Sequence, residues 1–338
     1  MNPSDQLDYA RQQGAAGVEL LRRQHVVVVG IGSASTLVKT FARMGMGKIT
    51  AIDPDVVEFR NVTSQGYRFE DARKQRPKVE ALRDECLAIN PDLRFLGLQE
   101  DFVSLPDGQL KTILADATLL VMTTDHHPAQ ARGNLAGLVC DVPVLFGSLY
   151  RRGRAGEIIL QYPGLTRACY RCITRDRYQY VARQQTGGTG NGTGSLPFAP
   201  LLVDSILGFL AVGVLHRRHG ATDNPYAAWI DRVANRGFIQ TRMDPDYRLG
   251  EEDIFGDVFG HGEKVFCFDT IWQPAEPEVQ ANCPDCHGQG AIPVGQRHEE
   301  STELQQLACG CLVQRRSTPW SACPACHALA STSSQLTN

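Results

Sequence analysis

Several features that would assign this chain to a special class are missing. Only 21% of the 338 residues are charged, and 34 basic residues nearly balance 37 acidic ones. No field of one sign therefore calls for nucleic acid or an anionic membrane, and neither partner is expected. The start, MNPSDQLDYARQQ, has neither the basic residues nor the apolar run of a signal peptide. The longest apolar run, Leu201 to Leu215, is broken by Asp204 and reads as too short to span a bilayer. A cytoplasmic chain without membrane attachment is the expectation. There is no internal repeat beyond a Cys-Pro-x-Cys-His at 283–287 that returns at 323–327, and the 42% hydrophobic content suits a chain with one large core.

Cysteine, by contrast, is abundant. Eight of the 11 cysteines fall into close pairs: Cys169/Cys172, Cys283/Cys286, Cys309/Cys311 and Cys323/Cys326. In a reducing compartment such spacing favours metal over disulfide. Two Cys-x-x-Cys knuckles supply the four thiolates of a structural zinc, so Cys169, Cys172, Cys283 and Cys286 form the first candidate set. Its metal would staple a closing segment to the core and would not be catalytic, because protein fills every ligand position. Cys309, Cys311, Cys323 and Cys326 form a second candidate set, spaced like a small zinc ribbon. His287 and His327 come directly after the knuckles and are alternative ligands.

The organisation reads as α/β. A short helix over 17–24 leads into His25–Val29, an unalternated β-branched run suited to a strand buried on both faces. Gly30-Ile-Gly32 then opens a helix to about Met44, and Lys48–Asp53 is a second strand ending in an acid. Helices at 77–89 and 128–139 alternate with strands at 93–98, 118–122 and 142–147, which predicts a Rossmann-like, doubly wound, mostly parallel sheet. Hairpin-like strands begin near Glu157. A glycine-rich loop occupies 187–194, and 201–216 reads as a helix apolar all round and deep in the core. Residues 221–262 lack a clear pattern, and Lys264–Trp272 is expected to close the sheet. The resulting division is an N-terminal helical arm (1–24), a main α/β domain (25–287), a Cys-rich ribbon (288–330) and a disordered tail (331–338).

A Gly-x-Gly turn between a buried strand and a helix lets backbone N–H groups approach a phosphate, and Asp53, 23 positions beyond Gly30, is placed to accept ribose hydroxyls. The third glycine of the dinucleotide fingerprint is Ser35 here, which weakens a dehydrogenase reading. The run Asp53-Pro-Asp55…Asn61-Val-Thr-Ser64-Gln65, then Arg76-Pro-Lys78 and Ile89-Asn-Pro91, resembles the ThiF/HesA/MoeB family, to which ubiquitin-activating enzymes are related. Tyr9-Ala-Arg11-Gln12, Asp125 with Arg132, and Cys169-Tyr-Arg-Cys172 extend the resemblance over roughly residues 8–287.

That resemblance implies ATP-dependent adenylation of a carboxylate, with ATP, Mg²⁺ and Zn²⁺ as cofactors. The substrate implied is the C-terminus of a ubiquitin-like or sulfur-carrier protein ending in Gly-Gly, with a conjugating enzyme or a sulfurtransferase working beside it. Gly30, Gly32, Asp53, Asp55, Asn61 and Gln65 would line the nucleotide, Lys78 would neutralise phosphate, and Asp125 would place Mg²⁺ and the triphosphate. Arg11 would reach the ATP of the other subunit in a homodimer. The family's arginine before Gln65 is Ser64, so Arg60, Arg68 or Arg73 is needed to restore a guanidinium. No cysteine lies between Ile173 and Pro200, where thiol-transferring members carry one; Cys140 and Cys267 read as core. Activation is expected to stop at the acyl-adenylate unless Cys309, Cys311 or a partner supplies the thiol. Two other readings stay open: a non-catalytic adapter that docks partners through its zinc modules, and an NAD-dependent oxidoreductase.

Overall fold

A computed structural model describes residues 7–12, 17–184, 194–221, 224–244, 246–248, 269–272, 276–291 and 300–326. Eight strands form the main sheet: β1 His25–Val29, β2 Lys48–Ile52, β3 Arg94–Leu98, β4 Leu119–Met122, β5 Val144–Leu149, β6 Ala155–Gln161, β7 Phe238–Arg242 and β8 Asp269–Trp272. Their order is β3-β2-β1-β4-β5-β6-β7-β8. The first five run parallel, in the register Val26↔Ile49 and Val26↔Leu119, and the last three are antiparallel. A second, two-stranded sheet pairs β9 (Leu304–Gln306) with β10 (Leu312–Gln314).

The helices are α1 (Val18–Leu21), α2 (Ser35–Arg43), α3 (Phe59–Ser64), α4 (Phe69–Arg73), α5 (Lys78–Ile89), α6 (Asp107–Leu114), α7 (His127–Val139), α8 (Tyr170–Ile173), α9 (Arg175–Gln184), α10 (Phe198–Arg218) and α11 (Pro225–Val233). Strand β1 shows why the sheet is covered on both sides. Val26 and Val28 pack with residues of α2, α5 and α10, while Val27 and Val29, pointing the other way, pack with α6 and α7. The absence of polar alternation in the sequence of β1 is this double burial.

The core helix differs from expectation. Pro200 sits in its first turn, where no N–H is needed, so α10 starts at Phe198 and runs 21 residues rather than beginning at 201. By length and composition it could cross a bilayer, yet 61% of its apolar window is packed inside the protein. It is not buried all round: Phe198 and Phe209 are exposed. Residues 221–262, read as unpatterned, contain α11 and β7, whose Ile230 and Ile239 belong to the core. The short helices α3, α4, α6 and α9 were also unexpected, and the 17–24 helix shrinks to α1. Of the closing strand, Asp269–Trp272 is described, whereas residues 264–268, Cys267, most of the 187–194 loop, His327 and the 331–338 tail lie outside the described residues.

The β9–β10 hairpin is docked onto the α6–α7 face by polar contacts. Lys111 donates to the Glu300 carbonyl at 2.6 Å, and the Thr302 N–H donates to Asp107 at 2.7 Å. Arg171 donates to the Leu312 carbonyl at 2.7 Å.

Candidate active site

The carboxyl ends of β2, β1, β4 and β5 open into one cavity of about 890 Å³. The turn after β1 explains its first wall. Gly30 has φ +80°, and a Cβ there would lie 2.9 Å from the Thr124 backbone. Only glycine lets the chain pass this close. Asp53, at the end of β2, holds two backbones at once: Oδ2 accepts the Ile31 N–H at 2.9 Å and Oδ1 accepts the Asp55 N–H at 2.9 Å. Burial raises the Asp53 pKa, while Lys78 and these two donors oppose the rise. Lys78 begins α5, is buried, and donates to Asp55 at 2.8 Å. Ser35, standing where the dinucleotide fingerprint has glycine, donates to the Gln65 carbonyl and so ties α2 to the end of α3.

Of the residues singled out from sequence, Gly30, Gly32, Asp53, Asp55, Gln65, Lys78 and Asp125 line this cavity, as does Ser64. Asn61 does not. Its Oδ1 accepts the Glu58 N–H at 2.7 Å in a reciprocal cap of α3, a structural use of its amide. Arg11 is exposed on the N-terminal segment and is not among the lining residues. Arg132 is fully buried in α7 and donates to the carbonyls of Phe102, Val103 and Leu105 at 2.6–2.7 Å, so it fastens a loop rather than facing the cavity.

The arginines considered as replacements at Ser64 are engaged at the surface. Arg60 pairs with Glu58 at 2.6 Å, Arg68 with Glu85 at 2.9 Å and Arg73 with Glu70 at 2.7 Å, and none lines the cavity. Among the described residues, the guanidinium that does line it is Arg177 of α9, which sequence reading missed. Arg177 pairs with Glu157 and donates to the Tyr170 hydroxyl at 2.8 Å. Burial opposes its charge, but Glu157 and Tyr170 outweigh burial and raise its pKa. The Tyr170 hydroxyl donates to Gln130 at 2.8 Å, and Gln130 donates to the Thr124 carbonyl at 2.8 Å. A polar chain thus runs from the Cys169–Cys172 knuckle to the cavity wall. Signals for Arg177 were thin, since α9 has no run of apolar residues.

A second missed residue is Asp204 of α10. It lines the cavity and is 7% exposed, and its Oδ2 has no hydrogen-bond partner. Burial alone pushes its pKa up to about 8. Its sequence signal is a carboxylate inside an apolar helix, which reads on its own only as an interruption of that run.

The first cysteine quartet is fully assembled and buried. Sulfur separations are 3.7 Å for Cys169–Cys172, 3.8 Å for Cys169–Cys283 and 3.7 Å for Cys172–Cys286. A tetrahedral site with Zn–S bonds of about 2.3 Å has edges of roughly 3.8 Å. A disulfide would need about 2.05 Å. The donor set therefore fits zinc. Asp285, between the second pair, accepts from Arg171 at 3.0 Å and Asn134 at 2.7 Å. Cys309, Cys311, Cys323 and Cys326 also bring their sulfurs within 4.8 Å of one another, in a more exposed position. None of the eight lines the nucleotide cavity, and neither does Cys140, whose thiol burial pushes up to about 11.

A five-stranded parallel 3-2-1-4-5 sheet with a glycine turn after β1 and an acid after β2 defines a nucleotide-binding, doubly wound α/β protein. The chain belongs to the ThiF family, whose model matches residues 4–331. Among curated relatives, it is 28% identical over 160 residues to the molybdopterin-synthase adenylyltransferase of Escherichia coli, covering 47% of this chain and 62% of that protein. It is 26% identical over 194 residues to the sulfur carrier protein ThiS adenylyltransferase of E. coli (56% and 75%). It is also 27% identical over 182 residues to ubiquitin-like modifier-activating enzyme 5 of Caenorhabditis elegans (51% and 43%). The chain thus spans between about two fifths and three quarters of these relatives. Among solved structures, E. coli MccB with MccA-N7isoASN superposes with a TM-score of 0.55 at 15% identity, covering 80% of this chain and 68% of that one. PaaA gives a TM-score of 0.52 at 20% identity (70% and 75%). These structures share the fold.

Proposed function

We propose that this chain uses ATP to adenylate a C-terminal carboxylate, on a ubiquitin-like or sulfur-carrier protein, and releases pyrophosphate. The observation that carries this reading is the convergence of Gly30, Gly32, Asp53, Lys78 and Asp125 on one cavity. The glycine turn offers backbone N–H groups, Asp53 accepts from ribose, and Lys78 balances triphosphate charge. The substrate carboxylate attacks the α-phosphorus, one P–O bond forms, and the bond to the pyrophosphate oxygen breaks. No base is needed, because the nucleophile is already ionised; the protein's task is to place two anions together and stabilise the leaving group. Asp125 supplies the hard oxygen donor suited to the Mg²⁺ that accompanies ATP. Arg177 offers the guanidinium absent at Ser64. Among the described residues no thiol lines the cavity, which supports the acyl-adenylate as the product on this chain. In a homodimer, exposed Arg11 would complete the partner's site.

The experiment is ATP–pyrophosphate exchange with β-grasp proteins ending in Gly-Gly. Exchange dependent on such a protein, abolished by truncating its last residue, is the expected result. ATP uptake with no exchange for any carboxylate would sink the proposal and favour the adapter reading.

A further inference from the structure

Asp204 is not explained by nucleotide binding. A carboxyl buried without a partner is costly, and the side chains around it do not repay the cost. Along α10, Val203 packs toward Gly156 and Leu207 toward Gly147, and the Ser205 hydroxyl donates to the Leu201 carbonyl. Among the described residues, the cations on the cavity wall pair with other carboxylates, Lys78 with Asp55 and Arg177 with Glu157, and neither bonds Asp204. Burial is the sole cause of its raised pKa. A ligand entering the cavity can bring the compensating donor. Phosphates offer only acceptors and belong with the glycine turn and Lys78, and the donors of the ribose belong with Asp53. The substrate carboxylate is also an acceptor, and it has to reach the α-phosphorus. One residue's length behind that carboxylate, the tail carries its last peptide N–H into the cavity.

We propose that Asp204 is a specificity-determining residue whose carboxyl accepts a hydrogen bond from the backbone N–H of the substrate's C-terminal residue. The site then selects carboxylates that end a peptide over other acyl carboxylates. This rests on the adenylation reading above and names what that site recognises.

The test is ATP–pyrophosphate exchange with a sulfur-carrier protein ending in Gly-Gly and its semisynthetic counterpart ending in Gly-glycolate, in which an ester oxygen replaces the last N–H. The wild-type protein is expected to show a KM about 10- to 100-fold higher for the ester. In Asp204→Leu the KM for the amide rises to meet that of the ester, while ATP affinity by calorimetry is unchanged. Asp204→Asn, which keeps an acceptor oxygen, restores preference for the amide. Equal KM for amide and ester in the wild-type protein overturns the inference without any variant, and so does undiminished discrimination in Asp204→Leu. Wild-type protein that exchanges with neither substrate refutes the adenylation reading itself and the inference with it, an outcome recognisable because no discrimination ratio can then be formed.

Discussion

The parallel half of the sheet, β1 to β5, and its antiparallel extension, β6 to β8 with the cysteine knuckles, are built by different means. In the parallel half, apolar strands are sandwiched between helices, and Asp53, Asp55 and Lys78 of the cavity sit at loop and helix ends with partners. The extension buries Glu157, Arg171 and Asp285 together with four thiols, and half-buries Arg177 against Glu157. The first half rests on burial of apolar surface, about 25 cal/mol per Å². The second depends on ion pairs and on a thiol quartet that fits zinc, which are strong when complete and costly when broken.

Removing metal from the first quartet tests this contrast most severely. Cys169→Ser with Cys283→Ser, or chelation, is expected to cost about 5 kcal/mol or more. Urea unfolding should then show the extension melting apart from the parallel half, and a single unchanged transition would refute the contrast. Lys78→Ala and Asp125→Ala act on the parallel half in the opposite sense. Exchange should fall about 10²- to 10³-fold, with the melting temperature nearly unchanged. Glu157→Gln removes the counter-ion of the half-buried Arg177 and should cost about 1–3 kcal/mol, seen as a lower urea midpoint.

Two smaller effects concern pH. His127 is fully buried with both ring nitrogens unpartnered, and burial, then Arg177 and Arg171, lower its pKa to about 3. The unfolded chain binds this proton first, so the contribution is intact above about pH 6.5 and is lost as pH falls toward 3. By pH 5 the loss is about 2 kcal/mol, which His127→Phe should abolish in acid-unfolding curves. Asp204 has the reverse sign. Its folded pKa is raised, so the folded state forfeits stability as pH rises from about 4 to about 8. Asp204→Asn should therefore be the more stable protein, with its advantage larger at pH 8 than at pH 5. Smallest of all, Cys311→Ser in the exposed second quartet should shift the melting temperature by only a few degrees.

Legibility from sequence divides along the same line. β1, β2, β4 and the glycine turn could be read because a doubly buried strand leaves a continuous apolar run, and because a turn at positive φ demands glycine. The knuckles could be read because ligand spacing is local. Helices α9 and α11 could not, since their stability comes from tertiary pairs such as Arg177–Glu157, 20 positions apart, and from packing of Ile230 against the core. Asn61 was legible as a motif residue, but its role as a cap is set by backbone geometry that composition does not reveal. Asp204 was visible and undervalued: in a helix otherwise built for burial, an acid is a cost that invites a chemical reason.

The double grip of Asp53 on the Ile31 and Asp55 amides has a kinetic consequence. Because one carboxylate already fixes the loops after β1 and β2, the cradle has its shape before any nucleotide arrives. Capture then needs no ordering of these two loops, so its on-rate should track diffusion and ionic strength rather than a slow isomerisation, and stopped-flow traces should be single exponentials that quicken in proportion to nucleotide concentration.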